Sequence, residues 1–153
     1  MSVEIRPATP ADLKAILDID PVAEVEERRH DYVSLAIRGH HGRDVRVLII
    51  DEELVGYAIL GEFFGHPFLE RILTAEPHRR RGVASALMAN IEFGFEGDRL
   101  FVSTNESNET MRELLVKRGY RVSGMVENLD PGDPELFFVI FKATIEAQVE
   151  PAP

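Results

Sequence analysis

The chain has 153 residues, 44% hydrophobic and 29% charged, with 27 acidic against 17 basic side chains and a formal charge of −10. That is enough chain for one domain with a sizeable core, and its acidity disfavours a general affinity for nucleic acid or anionic membranes. With no cysteine, disulfides, thiolate catalysis and zinc–sulfur sites are excluded.

No apolar run approaches the roughly 20 residues that cross a bilayer, and Met1–Arg6 lacks a basic segment followed by an apolar one. A cytoplasmic protein without a leader is the expectation.

Val3–Arg6 reads as a short strand. Thr9 as N-cap and Pro10 at the first helical position open a helix whose apolar face is Leu13, Ile16, Leu17 and Ile19, and Pro21 ends it. A more polar helix is expected from Glu24 to Arg38, with Val25, Tyr32, Leu35 and Ala36 inward, and Gly39–Gly42 as a turn. Val45–Ile50 and Leu54–Phe64 form a hairpin around Asp51–Glu53, and Phe68–Thr74 is the next strand. From Val83, apolar residues recur every four positions at Leu87, Ile91 and Phe95, one face of a helix that closes near Gly94–Gly97. Leu100–Ser103 is a buried strand. Asn105–Asn108 caps a helix with Met111, Leu114 and Leu115 inward, ended by Gly119 after Lys117-Arg118. Tyr120–Val126 and Leu136–Lys142 are strands. The order β-α-α-β-β-β-α-β-α-β-β describes an α/β (α+β) domain: a mixed, mostly antiparallel sheet flanked by about four helices. The domain is placed at 1–146, with a flexible tail at 147–153.

Between the fourth strand and the helix from Val83 stands Arg79-Arg80-Arg81-Gly82-Val83-Ala84-Ser85. Cations are misplaced there, because a helix N-terminus already carries about half a positive charge. Gly82 removes a Cβ at the same point. A basic turn, a glycine and free helix N–H groups describe an anion site, with phosphate the natural occupant.

That order and this turn resemble the GNAT superfamily of N-acetyltransferases, whose pyrophosphate loop is Arg/Gln-x-x-Gly-x-Gly/Ala; here it reads Arg79-Arg80-Arg81-Gly82-Val83-Ala84. The family's second signature, an Asn, an apolar helix and Gly-Phe, is matched by Asn108, Met111, Leu114, Leu115, Gly119 and Tyr120. Ile5-Arg6-Pro7-Ala8-Thr9 opens the chain as in many members, so the resemblance covers nearly the whole sequence. It implies acetyl-CoA as cofactor and direct acetyl transfer to a primary amine. By the same resemblance, main-chain groups near Leu73 and Thr74 bond the pantetheine arm, N–H groups across 80–85 take the pyrophosphate, and Asn108 reaches the pantetheine.

Acetyl transfer needs a base for the ammonium, polarisation of the thioester carbonyl and stabilisation of the leaving thiolate. A backbone N–H on the fourth strand serves the second. Glu70 is the candidate base, two residues beyond Phe68, which takes the position where a family base often sits; by strand alternation it shares a face with Phe68, Ile72 and Thr74. Its bland reading is a strand carboxylate paired near Arg71. Glu62, His66 and an ordered water are rivals.

Leu115 departs from the family, which often has there a tyrosine that protonates the leaving sulfur. Tyr120 reads as core and Tyr57 as core or pocket wall, leaving Tyr32 as a substitute acid. No metal site is expected, since the adjacent pair His40-His41 has no clear third ligand. The acceptor, a small-molecule or peptide amine, meets residues 20–45 and the 127–135 loop, where Glu24, Glu26, Glu27, Asp130 and Asp133 suggest a cationic molecule. Oligomeric state is not legible, a homodimer being compatible. Leu115 motivates the alternative, a non-catalytic acyl-CoA-binding or sensing domain.

Overall fold

The computed structural model describes residues 2–149, the Glu24 side chain excepted. In chain order the elements are β1 (Val3–Pro7), α1 (Leu13–Ile19), α2 (Pro21–Val25), α3 (Glu27–Ile37), β2 (Asp44–Ile50), β3 (Glu53–Phe63), β4 (His66–Thr74), α4 (Val83–Gly94), β5 (Arg99–Asn105), α5 (Glu109–Lys117), β6 (Arg121–Val126), β7 (Glu135–Phe141) and α6 (Lys142–Val149). Hydrogen-bonded strand order is β1-β2-β3-β4-β5-β7-β6, parallel at β4–β5 and antiparallel at β1–β2, β2–β3, β5–β7 and β6–β7. The expected order is present, with six helices rather than about four. No described helix is long and apolar enough to cross a membrane.

Two differences have local causes. The helix expected over 24–38 is two helices, because Asp20 accepts the Val22 and Ala23 N–H groups and Pro21 starts α2 early. Extended backbone at Glu26 then breaks the run. The break resets the helical phase. Val33 and Ala36 are the buried face of α3, while Val25 is 84% and Leu35 44% exposed. The second difference is α6, which occupies part of the expected tail; residues 150–153 lie outside the described chain. Its start is pinned by Lys142, whose Nζ donates to Phe95 O at 2.8 Å and sits 4.1 Å over the Phe95 ring. Ile145 is buried, and Gln148 donates to Arg118 O at 2.9 Å.

The chain forms two compact units, 2–62 with 70–91 and 63–69 with 92–149. In the first, β2 and β3 join through Asp51 and Glu52, both at positive φ as a tight two-residue hairpin turn demands. Its core is Ile16, Val33, Ala36, Val45, Val47, Leu54, Tyr57 and Ile59. Val83, Leu87, Met88 and Ile91 are the buried stripe of α4. Gly56 on β3 makes room for that stripe: a Cβ there would lie 2.7 Å from Val83 Cγ1 and 3.2 Å from both Leu73 O and Leu87 Cδ1. α1 is anchored by Asp12, which accepts two bonds from the Arg6 guanidinium, at 2.8 and 2.9 Å, and the Thr9 N–H at 2.7 Å.

In the second unit β5 and β7 pair from Arg99↔Phe141 to Asn105↔Glu135. Glu92 of α4 is buried, and both of its oxygens are taken by Arg118, at 2.9 and 2.5 Å, with the Tyr120 hydroxyl donating at 2.8 Å. Tyr120 is thus core, as expected, held by a hydrogen bond that phenylalanine would lack.

Arg6 holds the Asp12 carboxyl down at about 2 from 3.8. A depressed carboxylate stabilises the fold above its unfolded value near 4, and that gain is lost as pH falls toward 2. Asp12→Asn should therefore cost roughly 2 kcal/mol at pH 7, with the gap to wild type closing below pH 4, in urea unfolding followed against pH. Gly56→Ala should cost roughly 1–3 kcal/mol by overpacking, read as a lower urea midpoint.

Candidate functional site

The loop from β4 into α4 has the geometry of an anion cradle. Arg79, Arg80, Arg81 and Gly82 are all exposed. Arg80 stands at φ 65° and Gly82 at φ 81°, left-handed values that a non-glycine residue adopts only where the surroundings demand it. A Cβ on Gly82 would meet nothing within 4 Å, so backbone conformation calls for the glycine, and the space above it is open. The first helical bond of α4 is Ala86 N to Gly82 O at 2.9 Å, leaving the N–H groups of Val83, Ala84 and Ser85 without helical partners. Within this unit none of the three arginines has a carboxylate partner among the described side chains; Arg79 Nε reaches Thr74 O at 3.4 Å. Leu73 packs against the core, and the strand ends where Ala75 N bonds Val55 O.

Upstream on β4, Glu70 and Arg71 enter a polar cluster set among α1–α3. Arg43 grips Glu70 with two parallel bonds, Nε to Oε2 at 2.8 Å and Nη2 to Oε1 at 3.2 Å, and the Tyr32 hydroxyl lies 3.5 Å from Oε1. The Arg43 guanidinium also stacks 5.2 Å from the Tyr32 ring. Gly61 gives the carboxylate its space, since a Cβ there would collide with Glu70 Oε2. Glu70 therefore pairs with Arg43 rather than with Arg71. Strict strand alternation would point consecutive residues apart, yet Glu70 and Arg71 both reach side chains from residues 20–43.

Arg71 belongs to Asp20, which is 0% exposed. Asp20 Oδ1 accepts the α2 N–H groups of Val22 and Ala23; Oδ2 accepts the Tyr57 hydroxyl at 2.5 Å and Arg71 Nη2 at 3.1 Å, with Arg29 Nη1 at 3.6 Å. Burial pushes the Asp20 carboxyl up, but the Tyr57, Ala23 and Arg71 bonds outweigh it and hold it below the usual range. Burial pushes Tyr57 up strongly, and Tyr32 up to about 12, the Glu70 charge adding to the latter. Both tyrosines are neutral hydroxyls at neutral pH.

The remaining candidates sit as follows. Asn108 caps α5, its Oδ1 accepting Met111 N at 3.2 Å, which leaves its Nδ2 as a donor. Leu115 is fully buried. Glu62 is exposed, and His66 leans on the Phe101 ring. Of the expected acceptor-pocket acids, Glu26 and Glu27 are exposed. Asp130 accepts from Asn105 and Asp133 from Ser107, bonds that hold the 127–134 loop. Among the described residues no three His, Asp or Glu side chains are grouped to hold a metal ion.

Sequence reading missed Asp20, Arg29, Arg43 and Gly61. Asp20-Pro21 repeats the cap-and-proline pattern that Thr9-Pro10 presents, so its signal was on the page; the arginines carry none, since only the fold brings residues 29 and 43 to residues 20 and 70.

The model of the Acetyltransferase (GNAT) family matches residues 11–120. An acetyltransferase of the GNAT family from Bacillus cereus is 32% identical, covering 93% of this chain and 99% of its own, with a TM-score of 0.82. The fold is also that of the ribosomal-protein-S18-alanine N-acetyltransferase of Escherichia coli, 16% identical over 92% of this chain and 94% of that one, TM-score 0.80. It is likewise that of the spermidine/spermine N-acetyltransferase SpeG of Vibrio cholerae, 17% identical over 97% and 100%, TM-score 0.77. No curated protein matches the chain. With a family match over most of its length and a solved relative at 32% identity, the chain belongs to the GNAT acetyltransferase family.

Proposed function

We propose that the chain is a cytoplasmic, acetyl-CoA-dependent N-acetyltransferase whose domain, residues 1–146, moves an acetyl group directly to a primary amine on a small molecule or peptide. The observation that carries the reading is the Arg79–Gly82 loop. Three exposed cations with no carboxylate partner among the described side chains of their unit, two left-handed residues and open space over Gly82 stand before the free N–H groups of α4. These features suit a pyrophosphate, which would neutralise the loop and take the orphan donors. Arg79, Arg80 and Arg81 would supply the charge, and Gly82, Val83, Ala84 and Ser85 the N–H groups. The main chain of Leu73 and Thr74 would bond the pantetheine arm, with Asn108 donating from Nδ2.

Acetyl-CoA supplies the activated acetyl thioester. Glu70 is our base: Oε1 is met by Arg43 Nη2 and the Tyr32 hydroxyl, whereas Oε2 is engaged by Arg43 Nε alone and keeps a lone pair for the proton shed by the ammonium. Arg43 and Gly61 act through it as positioning residues, the one by its fork and the other by lacking a side chain. With the cofactor bound, Glu70 would free the amine for attack, and the proton the departing thiolate needs would come from solvent or from Tyr32, because Leu115 has none to give.

A second reading keeps the cofactor and drops the chemistry. Leu115 and the grip of Arg43 on Glu70 favour a non-catalytic acyl-CoA-binding domain.

Both readings predict that CoA at about 100 times its Kd stabilises the fold by roughly 2.7 kcal/mol, and that Gly82→Glu removes the melting shift. An unmoved melting curve with wild type would refute both. Only the enzyme reading predicts thiol release from acetyl-CoA when amines are added. Glu70→Gln should then lower kcat by about a hundredfold; unchanged turnover across pH would remove Glu70 as the base.

A further inference from the structure

The cluster around Asp20 holds more positive charge than it can use. Two guanidiniums, Arg71 and Arg29, converge on the same oxygen, Asp20 Oδ2, at 3.1 and 3.6 Å. That carboxylate is already saturated by the Tyr57 hydroxyl and by the Val22 and Ala23 N–H groups. The neighbouring carboxylate, Glu70, is spent on Arg43. Arg29 is therefore the cation in excess: among the described residues its buried Nη1 has no hydrogen-bond partner. An external oxyanion cannot reach that sealed nitrogen; it would meet the quarter of the Arg29 side chain that is exposed and offset the surplus charge there.

The ion pairs of this cluster meet solvent through their arginines. Asp20 is wholly covered, whereas the Arg29 and Arg71 side chains are 25% and 22% exposed. In a chain with 27 acidic and 17 basic residues, such a cationic face runs against the background. Arg71 also stands two residues before Leu73, roughly 7 Å along β4 at about 3.3 Å per residue, so a group bound at these arginines lies close to the strand segment we assign to the acetyl donor.

We infer that the acceptor is an amine carrying a carboxylate, a free amino acid in its simplest form, and that Arg29 with Arg71 binds that carboxylate. Two guanidiniums sharing one internal carboxylate take a second, external one in the planar, forked geometry arginine favours. The inference rests on the N-acetyltransferase reading and replaces the expectation of a cationic acceptor. The exposed Glu26 and Glu27 on which that expectation partly leaned lie on the solvent side of the helices.

The test is steady-state thiol release from acetyl-CoA with free amino acids paired with their decarboxylated amines: L-phenylalanine with phenethylamine, L-lysine with cadaverine, L-leucine with isoamylamine. For at least one pair, wild type should favour the amino acid by at least about tenfold in kcat/KM, expressed in KM, because an unpaired guanidinium penalises the amine. Arg29→Gln should bring that ratio to about one. A variant that is merely destabilised would lower both substrates alike and keep the ratio. A wild-type ratio near or below one in every pair, or a ratio that survives Arg29→Gln, overturns the inference. If no amine releases thiol, the enzyme reading fails by itself, and the inference is scored on melting temperature with CoA present. A shift with an amino acid, absent with its amine and lost in Arg29→Gln, upholds it; no shift in any pair overturns it.

Discussion

A buried carboxylate at the junction of α1 and α2 organises the first unit. Asp20 is hidden from water, and a charge in that position is tolerated only when every oxygen lone pair is met by a donor. Those donors come from three directions: backbone N–H groups of α2, Tyr57 of β3 and Arg71 of β4. One side chain thus starts a helix, orients a strand tyrosine and aims a strand arginine. The same demand draws Arg29 into the cluster, which brings in more positive charge than Asp20 can neutralise.

β4 carries that constraint into chemistry. Within five residues it presents Glu70, locked by Arg43, then Arg71, locked by Asp20, then the main chain of Leu73 and Thr74 that precedes the arginine loop. A strand is a ruler, with about 3.3 Å between residues. Groups we assign to the base, the acceptor and the acetyl donor are therefore held on one rigid element. Glu70 is held by the fork of Arg43 and Arg71 by two bonds to Asp20 Oδ2, the kind of support that keeps a site from loosening. The loop beyond answers to a different force. Among the described side chains of its unit no carboxylate pairs with Arg79–Arg81, and its left-handed residues leave open space beside the backbone donors of α4.

The second unit shows how a family motif survives substitution. Tyr120 stands where the family has phenylalanine, and its added hydroxyl would be an unpaired buried polar group were it not donated to Glu92, itself held by Arg118. Leu115, where the family resemblance leads one to expect a tyrosine, is wholly buried and leaves no polar group to satisfy.

Strand and helix order, the arginine turn with its glycine before α4 and the buried stripe of α4 are legible in the chain itself, because these depend on local periodicity, caps and glycine conformation, which are written over a few neighbouring residues. Local patterning misleads where two signals compete: the apolar spacing from Val25 suggests one continuous helix, but the Asp20 cap with Pro21 starts α2 early and extended Glu26 restarts the run as α3, which buries Val33 beside the expected Ala36 and leaves Val25 and Leu35 exposed. Tertiary structure alone decided that Glu70 pairs with Arg43, that Gly61 leaves space for it, and that Arg29 and Arg71 meet on Asp20. The physical reason is range. Backbone geometry couples residues a few positions apart, whereas a buried charge recruits its partners from wherever the fold brings a donor, and no spacing in the chain records that.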